Sequence, residues 1–550
     1  MSSSTLCLRC LKRSLGPAES ASPLQATQRA AFSTTPSLAA NPPKKKNVVA
    51  KPAARQGKSL KLAKNKRATT TRPPAPGERK ALRKRVVLSN TNALEVHGLP
   101  DLTGEHVNDV EKLRQQEGKV LGLGNDSVDA LRALEAFKPT QGWSLFRRPA
   151  TLVRRETVEL AGALDAIRSA KTTDRRVLFG ERGSGKSVLQ LQGMAMAYLK
   201  GWLVLHFPEA REMTVAHHAY RPVQLAGGRT GYIQPQYTAQ LLSNIVKANH
   251  GLLNQLRLSK KHDLPVPVQA NISLARFAEL GASDAELAWP IWQAFWRELT
   301  APSQPEKEGL QRPPLFLGMD GADYAMRNSA YLDAEARPVH AHDLTLIGDF
   351  VDVLSGRTRL PNGGCVMAAS SASNRPGVPT LDFYLERNHA AAGVPTFHSL
   401  LERLRGELSQ LPSPKDLDLS YYQALPTSTL PPSLHEQLQQ LLTHLTRLSR
   451  ALRPVPALLH ALDTAHQPQL PEWDPYTPID SRVQSVMQQV SNVQKVSGLS
   501  KEEARGVMEY YARSGMLRQT VTEGMVSEKW TVSGQGVVGE LERAAVRARF

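Results

Sequence analysis

Arg176-Val-Leu-Phe179 runs directly into Gly180-Glu-Arg-Gly-Ser-Gly-Lys186-Ser187 and then into Val188 to Leu199, and this stretch decides how the chain folds. The first four residues read as a buried strand. The next eight match G-x-x-x-x-G-K-[ST] in full, and the apolar, breaker-free run after them reads as a helix. Gly180, Gly183 and Gly185 let backbone N–H groups of Gly180, Glu181, Arg182, Gly183, Ser184, Gly185, Lys186, Ser187 and Val188 turn inward around phosphate oxygens. The helix start adds its positive dipole end. Lys186 is placed to reach the β- and γ-phosphates, and the Ser187 hydroxyl to ligate Mg²⁺. A chance match in a Gly-bearing loop is the plain alternative, and the flanking strand and helix argue against it.

Working outward, a P-loop site needs an apolar strand that ends in an acid. Pro314-Leu-Phe-Leu-Gly-Met-Asp320 supplies one, with Asp320 expected to hold Mg²⁺ through water. Gly201 to Phe207 and Cys365 to Ser370 read as two further strands. The last leads into Ser371, Ser373 and Asn374, a place where P-loop ATPases keep a polar sensor of the γ-phosphate. Short apolar strands separated by helices predict an α/β core, a parallel sheet covered on both faces. Its helical insertions include Tyr237 to Arg257 and Asp284 to Leu299. In the latter, Trp289, Trp292 and Trp296 share one face and read as core packing. His217-His218 and His340-x-His342 read as ordinary surface or loop histidines, and no set of metal ligands stands out.

Several features speak against rapid turnover. Motor-type P-loop ATPases follow the strand-end acid with a glutamate that activates water, whereas here Gly321 and Ala322 follow. Asp323 is the weak catalytic candidate, displaced by two residues. Arg357 and Arg359 offer themselves as arginine fingers but read equally as solvated loop residues. No Asn-Lys-x-Asp guanine-reading motif is present.

Charge is unevenly spread along the 550 residues. Residues 1 to 85 carry 20 Lys and Arg against Glu19 and Glu78, so the other 49 of the 69 basic residues face 48 of the 50 acidic ones. All but one unit of the net charge of +19 therefore belongs to an N-terminal arm. Residues 1–32, basic, Ser-rich and poor in acids, read as a mitochondrial presequence, with Arg29 to Thr35 resembling a processing site. Residues 33–85 read as a disordered basic arm. Its clusters, including Lys44, Lys45, Lys46, Lys64, Lys66, Arg67, Arg83, Lys84 and Arg85, suit an RNA phosphate backbone, though a solvated linker is the alternative. With Cys7 and Cys10 in the presequence, only Cys365 remains, so no intramolecular disulfide is expected in the mature chain. No run reaches the ~18 apolar residues of a membrane span.

The expected organisation continues with a mixed segment over 86–150, the P-loop domain over 151–411, a helical and Pro-rich connection over 412–478, and a C-terminal unit over 479–550. In the first, Ser127 to Phe137 reads as a helix. In the connection, Ser433 to Leu452 does. In the C-terminal unit, Ser481 to Val496 and Ser500 to Ser514 read as helices, the second opened by a Ser500/Glu503 capping box. Met516 to Val521 and Met525 to Val532 read as a hairpin, which completes a winged-helix outline. Its second helix offers Lys501 and Arg505 against Glu502, Glu503 and Glu509, so contact with protein or ribosome is expected over DNA-groove reading.

These motifs together resemble a known family. The P-loop, Trp202-Leu-Val-Leu-His-Phe-Pro208, Thr230-Gly-Tyr-Ile-Gln-Pro-Gln-Tyr-Thr238, Asp474-Pro-Tyr-Thr-Pro-Ile-Asp480, Gly498-Leu-Ser-Lys-Glu-Glu-Ala-Arg-Gly506, Met508-Glu-Tyr-Tyr511 and Val526-Ser-Glu-Lys-Trp530 are similar to the death-associated protein family of mitochondrial small-subunit ribosomal proteins, fungal branch. The resemblance runs from about Thr151 to Arg547. It implies an AAA-like nucleotide-binding fold in the head of the small subunit of the mitochondrial ribosome, in the matrix. It also implies contacts to small-subunit rRNA, to neighbouring ribosomal proteins and to the large subunit across a bridge. GTP or GDP with Mg²⁺ is the implied ligand, and the missing guanine motif leaves ATP open. A matrix AAA-type ATPase that remodels protein or nucleic acid is the alternative function.

Overall fold

In the computed structural model the described residues are 86–547, apart from 226–227, 270, 373–376, 414–416, 426–429, 465–469 and 491. The expected presequence and basic arm, with all nine RNA-contact residues, lie outside them.

A small sheet comes first, with β1 (Asp101–Leu102) parallel to β2 (Val120–Leu123) and β3 (Ala150–Leu152) antiparallel on the other side. Helix α1 (Asn125–Ala133) lies between β2 and β3, and α2 (Arg155–Ala170) follows. The central run is β4 (Thr173–Phe179), α3 (Lys186–Leu199), β5 (Leu203–Phe207) and a hairpin of β6 (Arg221–Gln224) and β7 (Thr230–Ile233). Four helices come next: α4 (Pro235–Ala248), α5 (His250–Gln255), α6 (Leu274–Ser283) and α7 (Ala285–Leu299). Then follow β8 (Leu315–Asp320), the antiparallel pair β9 (Asn328–Leu332) and β10 (Pro338–His340), α8 (Thr345–Leu354) and β11 (Gly364–Ala369). The C-terminal third holds α9 (Pro379–Ser409), α10 (Pro432–Arg450), α11 (Val455–Thr464), α12 (Ser481–Met487), β12 (Asn492–Lys495), α13 (Lys501–Arg513), α14 (Glu523–Val532) and α15 (Val538–Glu542).

Five strands form one parallel sheet in the order β12-β4-β11-β8-β5. Alternate residues of each strand enter different cores, as the pleat requires. Leu315, Leu317 and Met319 of β8 join one face with Phe350 of α8 and Val483 of α12. Phe316 joins the other with Leu164 of α2 and Leu189 of α3. Both faces are thus covered, which is why β5, β8 and β11 are buried at every residue. The expected α/β core with a parallel sheet is what the chain builds. Trp289, Trp292 and Trp296 of α7 are buried in the first core, as their spacing predicts.

Three expected elements differ. Ser481 to Val496 is not one helix: α12 stops at Met487, and β12 becomes the edge strand beside β4, with Val493 opposite Val177. Met525 to Val532 is not the second strand of a hairpin but helix α14. Thr522 caps it by accepting from the Met525 N–H at 3.3 Å, and Met525, Val526, Lys529 and Trp530 form its inward stripe. That stripe has the spacing of a helix face, and alternation over so short a run reads equally as a strand. The winged-helix outline therefore fails at its wing. Tyr237 to Arg257 is broken at Asn249, whose side chain accepts from the Val204 N–H and donates to the Val204 carbonyl, both at 2.9 Å. Satisfying the β5 backbone in this way ends the helix.

Helices α9, α10 and α11 close a separate apolar cluster around Leu404, Leu438, Leu445 and Leu458. No helix among the described residues is long and apolar enough to cross a membrane.

Candidate functional site

The loop Gly180–Gly185 leaves the carboxyl end of β4 and enters α3. Gly180, Gly183 and Gly185 have φ of 138°, 79° and 104°, backbone that side chains with a Cβ rarely adopt. A Cβ on Gly180 would also lie 2.5 Å from the Val496 carbonyl oxygen. Lys186 folds back over the loop and donates to the carbonyls of Gly180 at 2.9 Å and Glu181 at 2.7 Å. Its ammonium is thereby held against the backbone of the loop. Ser184 is fully buried, and its Oγ has no hydrogen-bond partner among the described residues. Glu181, Arg182 and Gly183 face solvent, and Ser187 and Val188 are half-buried in the first turn of α3.

One turn further along α3, Gln190 fixes the helix to the sheet. Its amide donates to the carbonyls of Met319 at 3.1 Å in β8 and of Met367 at 2.8 Å in β11. Ser187 precedes Gln190 by one helical turn, so the structure brings the Ser187 end of α3 to the end of β8, where Asp320 stands. Asp320 is buried, and its Oδ1 accepts from the Gly321 N–H at 2.7 Å. Its other oxygen forms an ion pair with Lys138, a residue of the loop after α1. His206 of β5 lies alongside with its ring nitrogen 3.2 Å from the Gly318 carbonyl oxygen. Burial pushes its pKa down to about 4, Lys138 adds to the drop and Asp320 opposes it. The ring is neutral at physiological pH.

Asp323 does not point to a water-activating role. It is fully buried, and its carboxylate accepts from the Ser371 N–H, tying the turn after β8 to the end of β11. Ser371 thus sits beside the candidate site, whereas Ser373 and Asn374 fall outside the described residues. Arg357 lies after α8, paired with Asp352 at 2.8 Å. His340 and His342 are buried rather than exposed, and among the described residues no group of His, Cys, Asp and Glu is arranged to hold a metal ion.

Motif reading missed Lys138, Arg154 and the C-terminal cover. Arg154 is buried and donates to the carbonyls of Ser184 at 2.9 Å and Ser497 at 3.0 Å, while pairing with Glu156 at 3.1 Å. From the other side, the Gly539 N–H donates to the Gly183 carbonyl at 3.0 Å. Val537 and Val538 stand against Gly183 and Gly185. Residues 537–539 therefore cover one side of the loop at Gly183 and Gly185, while Glu181 and Arg182 stay exposed. The contacts of Lys138 with Asp320, Arg154 with Ser497 and Gly539 with Gly183 have no local spacing signal, because the partners lie far apart in the chain.

A glycine-rich turn between a parallel strand and a helix, with an acid at the end of β8 two places away in the same sheet, marks the centre of an α/β protein. The chain matches the family model described as mitochondrial ribosomal death-associated protein 3 over residues 151–544. It is 35% identical to the small ribosomal subunit protein mS29 of Neurospora crassa, over 99% of both chains. The mS29 proteins of Schizosaccharomyces pombe (23%, over 53% of this chain and 60% of that one) and Bos taurus (26%, over 37% and 50%) are more distant. The chain belongs to the mitochondrial ribosomal death-associated protein 3 family, and so to the proteins of the mitochondrial ribosome.

Proposed function

We propose that this chain is a structural component of the small subunit of the mitochondrial ribosome that clamps a purine nucleotide at Gly180–Val188 with little or no hydrolysis. The near full-length likeness to the Neurospora protein supports the first half. The second half rests on one observation. The loop, Lys186 and the start of α3 have the form of a phosphate cradle, and Asp323, the candidate for activating water, is instead held by the Ser371 N–H. An AAA-like reading of the sheet belongs to the same proposal, as do residues 1–32 as presequence and the basic arm 33–85 as an rRNA contact. Small-subunit rRNA, neighbouring ribosomal proteins and a large-subunit bridge are the proposed partners.

GTP or GDP is the proposed ligand, with ATP open. Ser187 and Asp320 fit Mg²⁺, a hard cation that binds few protein oxygens and keeps most of its waters. The ion would share the Asp320 carboxylate with Lys138 or displace that ammonium. When bound it would neutralise phosphate charge, and the residues of this chain would orient the phosphates.

Two measurements test the reading. Mitochondrial extract on a sucrose gradient should carry the protein with the small subunit, and a wholly ribosome-free pool would sink the structural role. Nucleotide extracted from the purified chain should be a guanine or adenine nucleotide. Lys186→Ala should abolish that occupancy and lower the thermal midpoint or assembly. Sustained turnover abolished by the same substitution would instead favour the remodelling ATPase.

A further inference from the structure

A cleft of about 320 Å³ opens where the α8 region meets α12, lined by residues that the phosphate loop does not use. Three arginines enter it from separate elements. Arg229 comes from the end of the β6–β7 turn, Arg357 from the loop after α8, and Arg482 from α12. Arg357 is paired with Asp352 at 2.8 Å and Arg482 with Asp343 at 2.7 Å, each using one face of its guanidinium. Both keep about half of their side chains exposed (52% and 50%) and so retain free N–H donors. Arg229 has no acidic partner among the described residues. Counting the five charges, the cleft keeps an excess of one cation.

His342 supplies a second, independent observation. It is nine-tenths buried at the cleft wall, and its Nε2 has no hydrogen-bond partner among the described residues. Burial, then His340, Arg357, Arg482 and Arg229, hold its pKa well below the ordinary value, so the field of all three arginines converges on this ring. Ser481 and Ser485 add hydroxyls to the same wall. Converging donors with one surplus positive charge match a monoanionic phosphodiester, and a forked guanidinium suits its paired oxygens. The body of the chain beyond residue 85 is otherwise close to neutral, so this local excess is not a by-product of overall basicity.

We infer that this cleft seats a backbone phosphate of RNA, giving the folded body its own RNA contact apart from the N-terminal arm. The inference rests on the ribosomal reading above. Each phosphate neutralised contributes about 0.9 to the slope of log affinity against log salt.

The test measures binding of the full purified chain to a fluorescent RNA hairpin across a KCl series. Arg229→Gln removes the unpaired cation without breaking an ion pair, and Ser485→Asp places an anion in the cleft. Each should lower the slope by about 0.9 and weaken binding about fivefold near 0.15 M salt, with the thermal midpoint unchanged. Replacing chloride with inorganic phosphate at constant ionic strength should weaken the native chain more than Arg229→Gln. A slope unchanged in both variants overturns the inference, including the case where free phosphate still competes, which would mark a small-anion site. Reduced sedimentation of Arg229→Gln with the subunit at an unchanged RNA slope would overturn it in favour of an acidic protein partner. Native protein absent from the small-subunit fraction would instead sink the ribosomal reading itself.

Discussion

At the residue scale, two carboxyl groups, Asp320 and Asp349, govern what the core tolerates. Lys138 balances Asp320, whose side chain is 4% exposed against 27% for Lys138. Removing one member of a buried pair strands the other, at a cost of about 3–5 kcal/mol where both are fully buried. Because Lys138 reaches solvent, Lys138→Met should cost about 2–3 kcal/mol, and millimolar MgCl₂ should recover part of it by supplying another cation to Asp320. Thermal melts with and without magnesium check this. An unchanged midpoint would mean that the pair contributes nothing. Asp349 is the opposite case, a carboxyl that accepts from Trp292 Nε1 at 2.8 Å and forms no ion pair among the described residues. Burial raises its pKa to about 7, the Trp292 hydrogen bond opposes the rise, and Asp352 adds to it. Folding then favours the protonated form, so stability falls as pH climbs from the ordinary 3.8 towards about 7 and levels off above. Asp349→Asn keeps the acceptor and removes the titration. Its advantage in thermal midpoint should grow over that interval and stay constant beyond it. Neither Lys138 nor Asp349 was legible in the sequence. The strand, glycine turn and helix over Arg176 to Leu199 were, because that run is local in the chain, whereas Lys138 and Asp349 acquire their surroundings only through tertiary packing.

At the element scale, the strands were legible wherever both faces are buried, since β5, β8 and β11 must then be continuous apolar runs. Strand β12 was not, because Asn492-Val-Gln-Lys495 lies at the sheet edge and buries only Val493 fully. Helix α13 was legible through its cap. Ser500 Oγ accepts from the Glu503 N–H at 3.1 Å, and Glu503 Oε2 accepts from the Ser500 N–H at 2.8 Å. What the motif did not reveal is the second use of Glu503, whose Oε1 accepts from the Arg155 N–H at 3.3 Å and ties α13 to the start of α2. Ser500→Ala should therefore cost about 1 kcal/mol, the ordinary value of a lost N-cap. Glu503→Ala should cost more, because it removes the carboxylate beside buried Arg154 and the acceptor of the Arg155 N–H as well as the cap. Urea denaturation of the two variants separates the contributions. Equal losses would reduce Glu503 to a capping residue alone.

At the scale of the whole molecule, the candidate site is assembled from both ends of the folded body. Residues before β4 bring Lys138 and Arg154, and residues after β12 bring the cover over Gly183 and Gly185. Helix α14 anchors that cover, because Trp530 Nε1 donates to the Leu499 carbonyl at 2.7 Å and the Trp530 carbonyl accepts from the Gly536 N–H at 3.1 Å. The loop's outer backbone thus depends on residues 533–542 for packing and for a partner to the Gly183 carbonyl. A chain truncated after Val532 would keep every residue of the P-loop motif yet leave that face uncovered. If the loop needs its cover to hold the three glycines in their left-handed conformations, truncation should lower nucleotide occupancy as deeply as Lys186→Ala. It should also speed tryptic cleavage after Arg182 relative to the intact chain, because the Gly183 carbonyl loses its partner at Gly539. Val538→Asp separates cover from chain length, since it places a charge against Gly185 and should weaken occupancy without removing a residue. Full occupancy in both variants would show that α3 and Lys186 shape the loop unaided, and the tail would then be left with packing alone.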